Sequence, residues 1–187
     1  IQKRQEARQA LASKRTTDVA IYGDNCGLER RIAIQMVAAW KDMTGRNALV
    51  LNDGTRGDVL LERQDGKFLV VQLKTTHGKV KCQNRYRFAQ IHGYKRMPVV
   101  CWCEADKVGW VADGTKLDAR TTEDLDITPD ASVEREYTLA KGSMQTLLTF
   151  LADHVDDWDS STEDAARHDF ASKTHQKEMR GIDAFKQ

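Results

Sequence analysis

Three residues have chemistry that is out of place: Asp58, Gln72 and Lys74, set among apolar neighbours in GDVLLERQDGKFLVVQLKTT, residues 57–76. An amide left unpaired in apolar surroundings costs about 2–7 kcal/mol, so each of these groups needs a partner or a role. An acidic side chain, an amide oxygen and the backbone carbonyl between Gln72 and Lys74 form an oxygen-rich nest. A hard divalent cation suits it: Mg²⁺ prefers such oxygens, keeps several waters and uses few protein ligands. Lys74, adjacent to the ion, could orient or deprotonate a water and offset phosphate charge. A cation so held polarises a phosphoryl oxygen and lowers the pKa of its bound water. Those are the parts of a phosphodiesterase.

Whether the groups meet depends on one turn. Along 67–75 the pleat puts Phe68, Val70, Gln72 and Lys74 on one face and Leu69, Val71 and Leu73 on the other; Asp58, Leu60 and Glu62 share a face of 57–63. A two-residue Asp65-Gly66 turn would pair Asp58 with Leu73 and separate it from Gln72. A three-residue loop over Gln64, Asp65 and Gly66 pairs Arg63 with Lys67, and so Asp58 with Gln72. The second register is expected because it converges all three polar groups, and it places Gly66 at the left-handed position of a bulged loop.

The elements around this hairpin follow from periodicity. In GDNCGLERRIAIQMVAAWKDMTG, Leu28, Ile32, Met36 and Trp40 recur every four residues, a helical stripe widened by Val37. Asp24 or Asn25 can cap its start and Gly45 its end. Glu29, at the edge of the stripe, could aim a carboxylate at the same point. Strands are expected over 47–53, 57–63 and 67–75, a helix over 83–96, a hairpin from 98–104 and 108–112, a turn-rich acidic stretch over 115–138, and an amphipathic helix in KGSMQTLLTFLADHVDDW. This order gives an α/β fold: a central mixed sheet flanked by helices, with an α-β-β-β-α-β core. Three regions are expected: an N-terminal helical arm (1–20), the domain itself (21–157) and a C-terminal polar arm (158–187).

Asp58, the triplet Gln72-Leu73-Lys74 and Glu29 in GLERR together resemble the PD-(D/E)XK, or restriction-endonuclease-like, nuclease superfamily. Its pattern is an acid on one strand, (D/E/Q)-x-K on the next, and a glutamate on the preceding helix. The resemblance covers residues 23 to about 112. It implies a metal-dependent DNA endonuclease in which Asp58, Gln72 and Glu29 hold Mg²⁺ (or Mn²⁺) and Lys74 positions the attacking water. The glycine-then-Glu-Arg helix start is similar to that of archaeal Holliday-junction resolvases, which points to junction or branched DNA. The sequence departs from the pattern at Gly57, where proline is usual, and at Gln72, where an acid is usual; Mrr-type enzymes and some homing nucleases resemble it in using Q-x-K. Gln90 and Tyr94 match a Q-x-x-x-Y pattern of exonuclease-like members and would share a helix face. Enzymes of this fold usually cut as dimers, so a homodimer is expected.

Charge supports a polyanionic partner. Residues 1–100 carry 19 Lys and Arg against 9 Asp and Glu, although the whole chain nets only +1. Lys79, Lys81, Arg85, Arg87, Lys95 and Arg96 follow the motif directly and could neutralise DNA phosphates together with Gln90 and Tyr94. Two other readings compete. Asp58 and Lys74 could be a plain cross-strand ion pair, worth about 0–1 kcal/mol. Alternatively the chain could be a catalytically degenerate module that binds DNA or assembles within a larger protein. Its start at Ile1 fits a piece of a longer chain. Four cysteines without a CxxC pair read as small buried hydrophobes in a reducing, intracellular compartment. Trp102 and Trp110 read as core rather than as base-stacking platforms. No membrane segment, secretion signal or small-molecule cofactor is expected.

Overall fold

In the computed structural model the described residues are 25–51, 57–128 and 136–158. The expected N-terminal arm, the capping position Asp24 and all of the expected C-terminal arm but Trp158 therefore lie outside them; Trp158, assigned to the polar arm, is instead buried in the core. Helix α1 (Asn25–Thr44) runs into β1 (Ala48–Val50), β2 (Val59–Glu62) and β3 (Phe68–Thr76). The chain continues through β4 (Tyr86–Phe88), β5 (Pro98–Cys103), β6 (Val108–Asp113), α2 (Gly114–Asp118), β7 (Leu125–Ile127), β8 (Thr138–Gly142) and α3 (Met144–Asp153). Six strands form one mixed sheet in the order β1-β2-β3-β5-β6-β8, antiparallel except for the parallel β3–β5 pair, while β4 and β7 make a separate antiparallel ribbon.

Each face of the sheet carries its own core. The α1 stripe of Leu28, Ile32, Met36 and Trp40 is fully buried against Leu69, Val71 and Leu73 of β3, together with Leu147, Leu148 and Leu151 of α3. Gly45, at φ +68°, ends α1 by donating its N–H to the Lys41 carbonyl at 2.9 Å, a left-handed cap that glycine adopts without a Cβ penalty. On the opposite face, Val99, Cys101, Cys103 and Trp110 pack against Tyr86, Phe88, Ile91, Leu125 and Ile127. Trp102 and Trp110 are both core residues. Cys101 and Cys103 are buried as expected, but Cys82 is exposed, which corrects the reading of the cysteines as uniformly buried.

The helix expected over 83–96 is absent. Its place is taken by β4 and an irregular loop, and the ribbon β4–β7 covers the sheet face instead. Tyr86 and Phe88 are buried while Arg87 between them is exposed, a period of two that a strand satisfies and a helix does not. Gln90, Gly93 and Arg96 all have positive φ, which ends any regular run. The stretch 115–138, expected as turns, also contains α2 and β7, and β8 follows it as an edge strand. No helix among the described residues is long and apolar enough to cross a membrane.

Candidate functional site

The register of the β2–β3 hairpin is the one that converges the polar residues. Val59 pairs with Val71 and Glu62 with Phe68, and the Arg63 N–H donates to the Lys67 carbonyl at 2.7 Å. Gly66 has φ +78° in the connecting loop, its N–H donates to Arg63 O at 3.1 Å, and the Asp65 carboxylate accepts from the Lys67 N–H at 3.0 Å. Continuing this register past Val59 sets Asp58 opposite Gln72, and the Asp58 N–H donates to Val71 O at 2.9 Å.

At this point β2 stops and β3 does not. Among the described residues, the amides and carbonyls of β3 that face β2 therefore lose their strand neighbour from Leu73 onward, and buried backbone groups must be paired. Side chains supply what the missing strand would have. The Leu73 N–H donates to Asp58 Oδ2 at 2.7 Å. The Leu73 carbonyl accepts from Gln72 Nε2 at 3.0 Å, and the same nitrogen donates to Asp58 Oδ2. One residue pair further on, the Thr75 amide bonds the carboxylate of Glu29, which reaches over from the first turns of α1. Glu29, Asp58, Gln72 and Lys74 thus meet at the open end of β3.

The electrostatics of this corner are shared. Burial pushes the Glu29 carboxyl above the ordinary glutamate range, and the nearby Asp58 charge pushes the same way; Lys74 and the Thr75 amide oppose them. Cys101 lies beside Lys74 across the β3–β5 pair. Burial raises its thiol to about 12 despite the lysine, so it stays a neutral spectator.

Gly57 explains the missing proline. Its φ of +99° is closed to proline, whose ring fixes φ near about −65°. A Cβ there would lie 2.3 Å from Val70 Cγ1. The chain enters Asp58 by a different backbone path from the one a proline would take.

The donor set fits a hard cation. Two oxygens, Asp58 Oδ2 and Leu73 O, converge on one hydrogen-bond donor, the Gln72 amide, and a small cation can replace a donor at such a point once the amide turns its oxygen inward. No group of three or more His, Cys, Asp or Glu side chains gathers anywhere among the described residues. A cation here would rest on two carboxylates supplemented by neutral oxygens.

Other site candidates fall in different places. Arg85 and Arg87 are on the ribbon, and both are tied to Asp126: Arg85 Nη1 at 2.7 Å, Arg87 Nε at 2.9 Å. Hydrogen bonds from Arg87 hold the Asp126 carboxyl below its ordinary range, and the arginine rises in turn. Lys79 and Lys81 are exposed, with the Lys79 ammonium 5.5 Å from the Tyr86 ring centroid. Lys95 and Arg96 are exposed on the turn after Tyr94. Gln90 and Tyr94 share no helix face, because no helix forms there; Gln90 is exposed, whereas Tyr94 turns its ring to Lys74, with Nζ 5.0 Å from the centroid. Sequence reasoning missed the Thr75 amide and this stack, since neither leaves a mark in residue type or spacing.

The fold is a nuclease-like mixed α/β sheet. A solved structure similar to it is that of a bacterial homing endonuclease, I-Ssp6803I, at TM-score 0.50 and 14% identity over 70% of this chain and 94% of that one. At that identity the likeness is one of fold. No protein-family model and no curated protein matches the sequence.

Proposed function

We propose that this protein is a metal-dependent DNA endonuclease that hydrolyses phosphodiester bonds at the open end of β3. The observation that carries the reading is the convergence of two carboxylates, a carbonyl, an amide and a lysine where β2 ends, on a sheet with a homing endonuclease's fold. Asp58 and Glu29, with Gln72 and the Leu73 carbonyl, would hold Mg²⁺ or Mn²⁺. When bound, such an ion would supply Lewis-acid polarisation of the phosphate and a more acidic water. Lys74 would orient that water and offset phosphate charge, and Lys79, Lys81, Lys95 and Arg96 would meet the flanking phosphates. Cutting both strands of a duplex calls for two such sites, hence a homodimer. The resolvase-like helix start makes four-way and branched DNA the first substrates to assay.

The test is nicking of four-way, flap and linear DNA in Mg²⁺ by wild type and Lys74→Ala. Loss of cleavage in the variant is expected; equal cleavage by both proteins rules this site out. The second reading, a degenerate DNA-binding or assembly module, draws on the Gln72 amide, whose donor face fills the point a cation would take. Calorimetry with Mn²⁺ separates the two: heat in wild type that is lost in Asp58→Ala supports the enzyme, and no heat in either favours the module.

A further inference from the structure

The loop that replaces the expected helix is held in a costly conformation. Gln90 and Arg96, at φ +56° and +67°, bracket Tyr94 with left-handed backbone. Non-glycine residues adopt that conformation at a cost and keep it only where the surroundings over-determine it. Beside Gln90, the Ile91 N–H donates to the Glu123 carbonyl at 2.9 Å; from Gly93 to Met97 the surroundings are α2. Its first residue, Gly114, donates its N–H to the Met97 carbonyl at 3.1 Å, and the Met97 N–H donates to the Tyr94 carbonyl at 3.2 Å. A Cβ on Gly114 would lie 2.0 Å from Tyr94 O and 2.5 Å from Met97 O, so the two backbones touch with no room between them. Two side chains of α2 complete the rack. Thr115 Oγ1 accepts from the Arg96 N–H at 3.0 Å, and Asp118 Oδ1 accepts from the Gly93 N–H at 2.8 Å. The product of these contacts is one fixed aromatic ring, half-buried and facing the Lys74 ammonium at 5.0 Å.

We propose that Tyr94 is a positioning residue for Lys74, and that α2 is the rack that holds it: the ring face draws the ammonium to one place beside Asp58 and Glu29. The inference rests on the nuclease reading for its consequence, but not for its geometry. A lysine has four rotatable stem bonds and no preferred direction; a ring that attracts the cation restricts it without neutralising it. The stack needs the ring face and not the hydroxyl, so phenylalanine serves at this position and leucine does not.

The test has a readout that does not depend on cleavage. Lysines of the full chain are reductively ¹³C-dimethylated, which keeps their charge, and the Lys74 methyl signal is identified by its absence in Lys74→Ala. Ring-current shielding is expected to displace this signal upfield in wild type and in Tyr94→Phe, and to vanish in Tyr94→Leu. Asp118→Ala, an exposed change that leaves the core intact, is expected to reduce the displacement by loosening the turn. It keeps the test informative should Tyr94→Leu fail to fold. In cleavage assays kcat falls about three- to tenfold in Tyr94→Leu, with KM for DNA held and Tyr94→Phe rescuing. An undisplaced Lys74 signal in wild type, or one unmoved by Tyr94→Leu and Asp118→Ala alike, overturns the proposal. So does a KM effect without a kcat effect. A displaced signal in a wild-type protein that cuts no DNA sinks the nuclease reading and leaves the positioning intact.

Discussion

Asp58 hydrogen-bonds the end of β3 and, in the function proposed above, would also hold the metal ion; replacing it by alanine or by asparagine should separate the two. Its Oδ2 accepts from the Leu73 N–H at 2.7 Å and from the Gln72 amide. Hydrogen bonds to a charged acceptor contribute about 1.5–3 kcal/mol each, so Asp58→Ala removes a gross total of roughly 3–6 kcal/mol. Part is recovered: Gln72 keeps its second bond, to Leu73 O, and water can enter the partly open corner. A net loss of about 2–4 kcal/mol remains, equivalent to a Tm fall of roughly 6–15 °C for a domain of this size. Asparagine keeps an oxygen for the Leu73 N–H, exchanging a charged acceptor for a neutral one, which costs about 1 kcal/mol. Against that stands relief of the Asp58 repulsion that helps raise the Glu29 carboxyl. Asp58→Asn should therefore be within about 1 kcal/mol of wild type in urea unfolding at neutral pH with chelator present. Hydrogen exchange at the Leu73 amide should quicken in the alanine variant and stay slow in the asparagine one. Both variants should lose Mg²⁺-dependent nicking alike, because each lacks the charge. Equal stability of wild type and Asp58→Ala would refute the argument that this carboxylate stands in for a missing strand.

The neighbouring groups give three further expectations. The raised Glu29 carboxyl means that the fold favours its protonated form. The stability it contributes is full below its ordinary value of 4.5 and is lost as pH rises through the higher folded value. Glu29→Gln, which can still accept from Thr75, should thus melt higher than wild type at pH 8 and level with it at pH 4; a variant that melts lower at pH 8 contradicts the burial argument. Gln72→Glu puts a third carboxylate in a buried position beside Asp58. Its Tm should fall in chelator and rise more steeply than wild type with Mn²⁺, and an unaltered metal response would exclude Gln72 from the ligand set. Asp126→Asn leaves Arg85 and Arg87 without the carboxylate they share. DNA binding should tighten and its salt dependence steepen by about one phosphate contact, read by fluorescence anisotropy across a salt series; an unchanged slope would place the ribbon away from DNA.

Some of this protein is set by local sequence, because the determinants are periodic and short-range. The every-fourth-residue stripe from Leu28 to Trp40 fixes α1 and its buried face, and Gly66 permits the bulged loop, with the shared need of Asp58, Gln72 and Lys74 for polar company favouring the register that brings Asp58 opposite Gln72. Tertiary contacts decided the rest. Residues 83–96 are rich enough in polar side chains to read as a helix, yet the alternating Tyr86 and Phe88 find their burial only against Trp110 and a strand, Leu125–Ile127, almost forty residues on. The Thr75 amide became a partner of Glu29 only because β2 ends before β3 does, and no residue type announces where a neighbour stops. Lys74 met Tyr94 because α2 holds a strained turn in place from across the fold. Pattern shows which residues want burial; only the packed chain shows which surfaces remain to bury them, and which unpaired groups are left for chemistry.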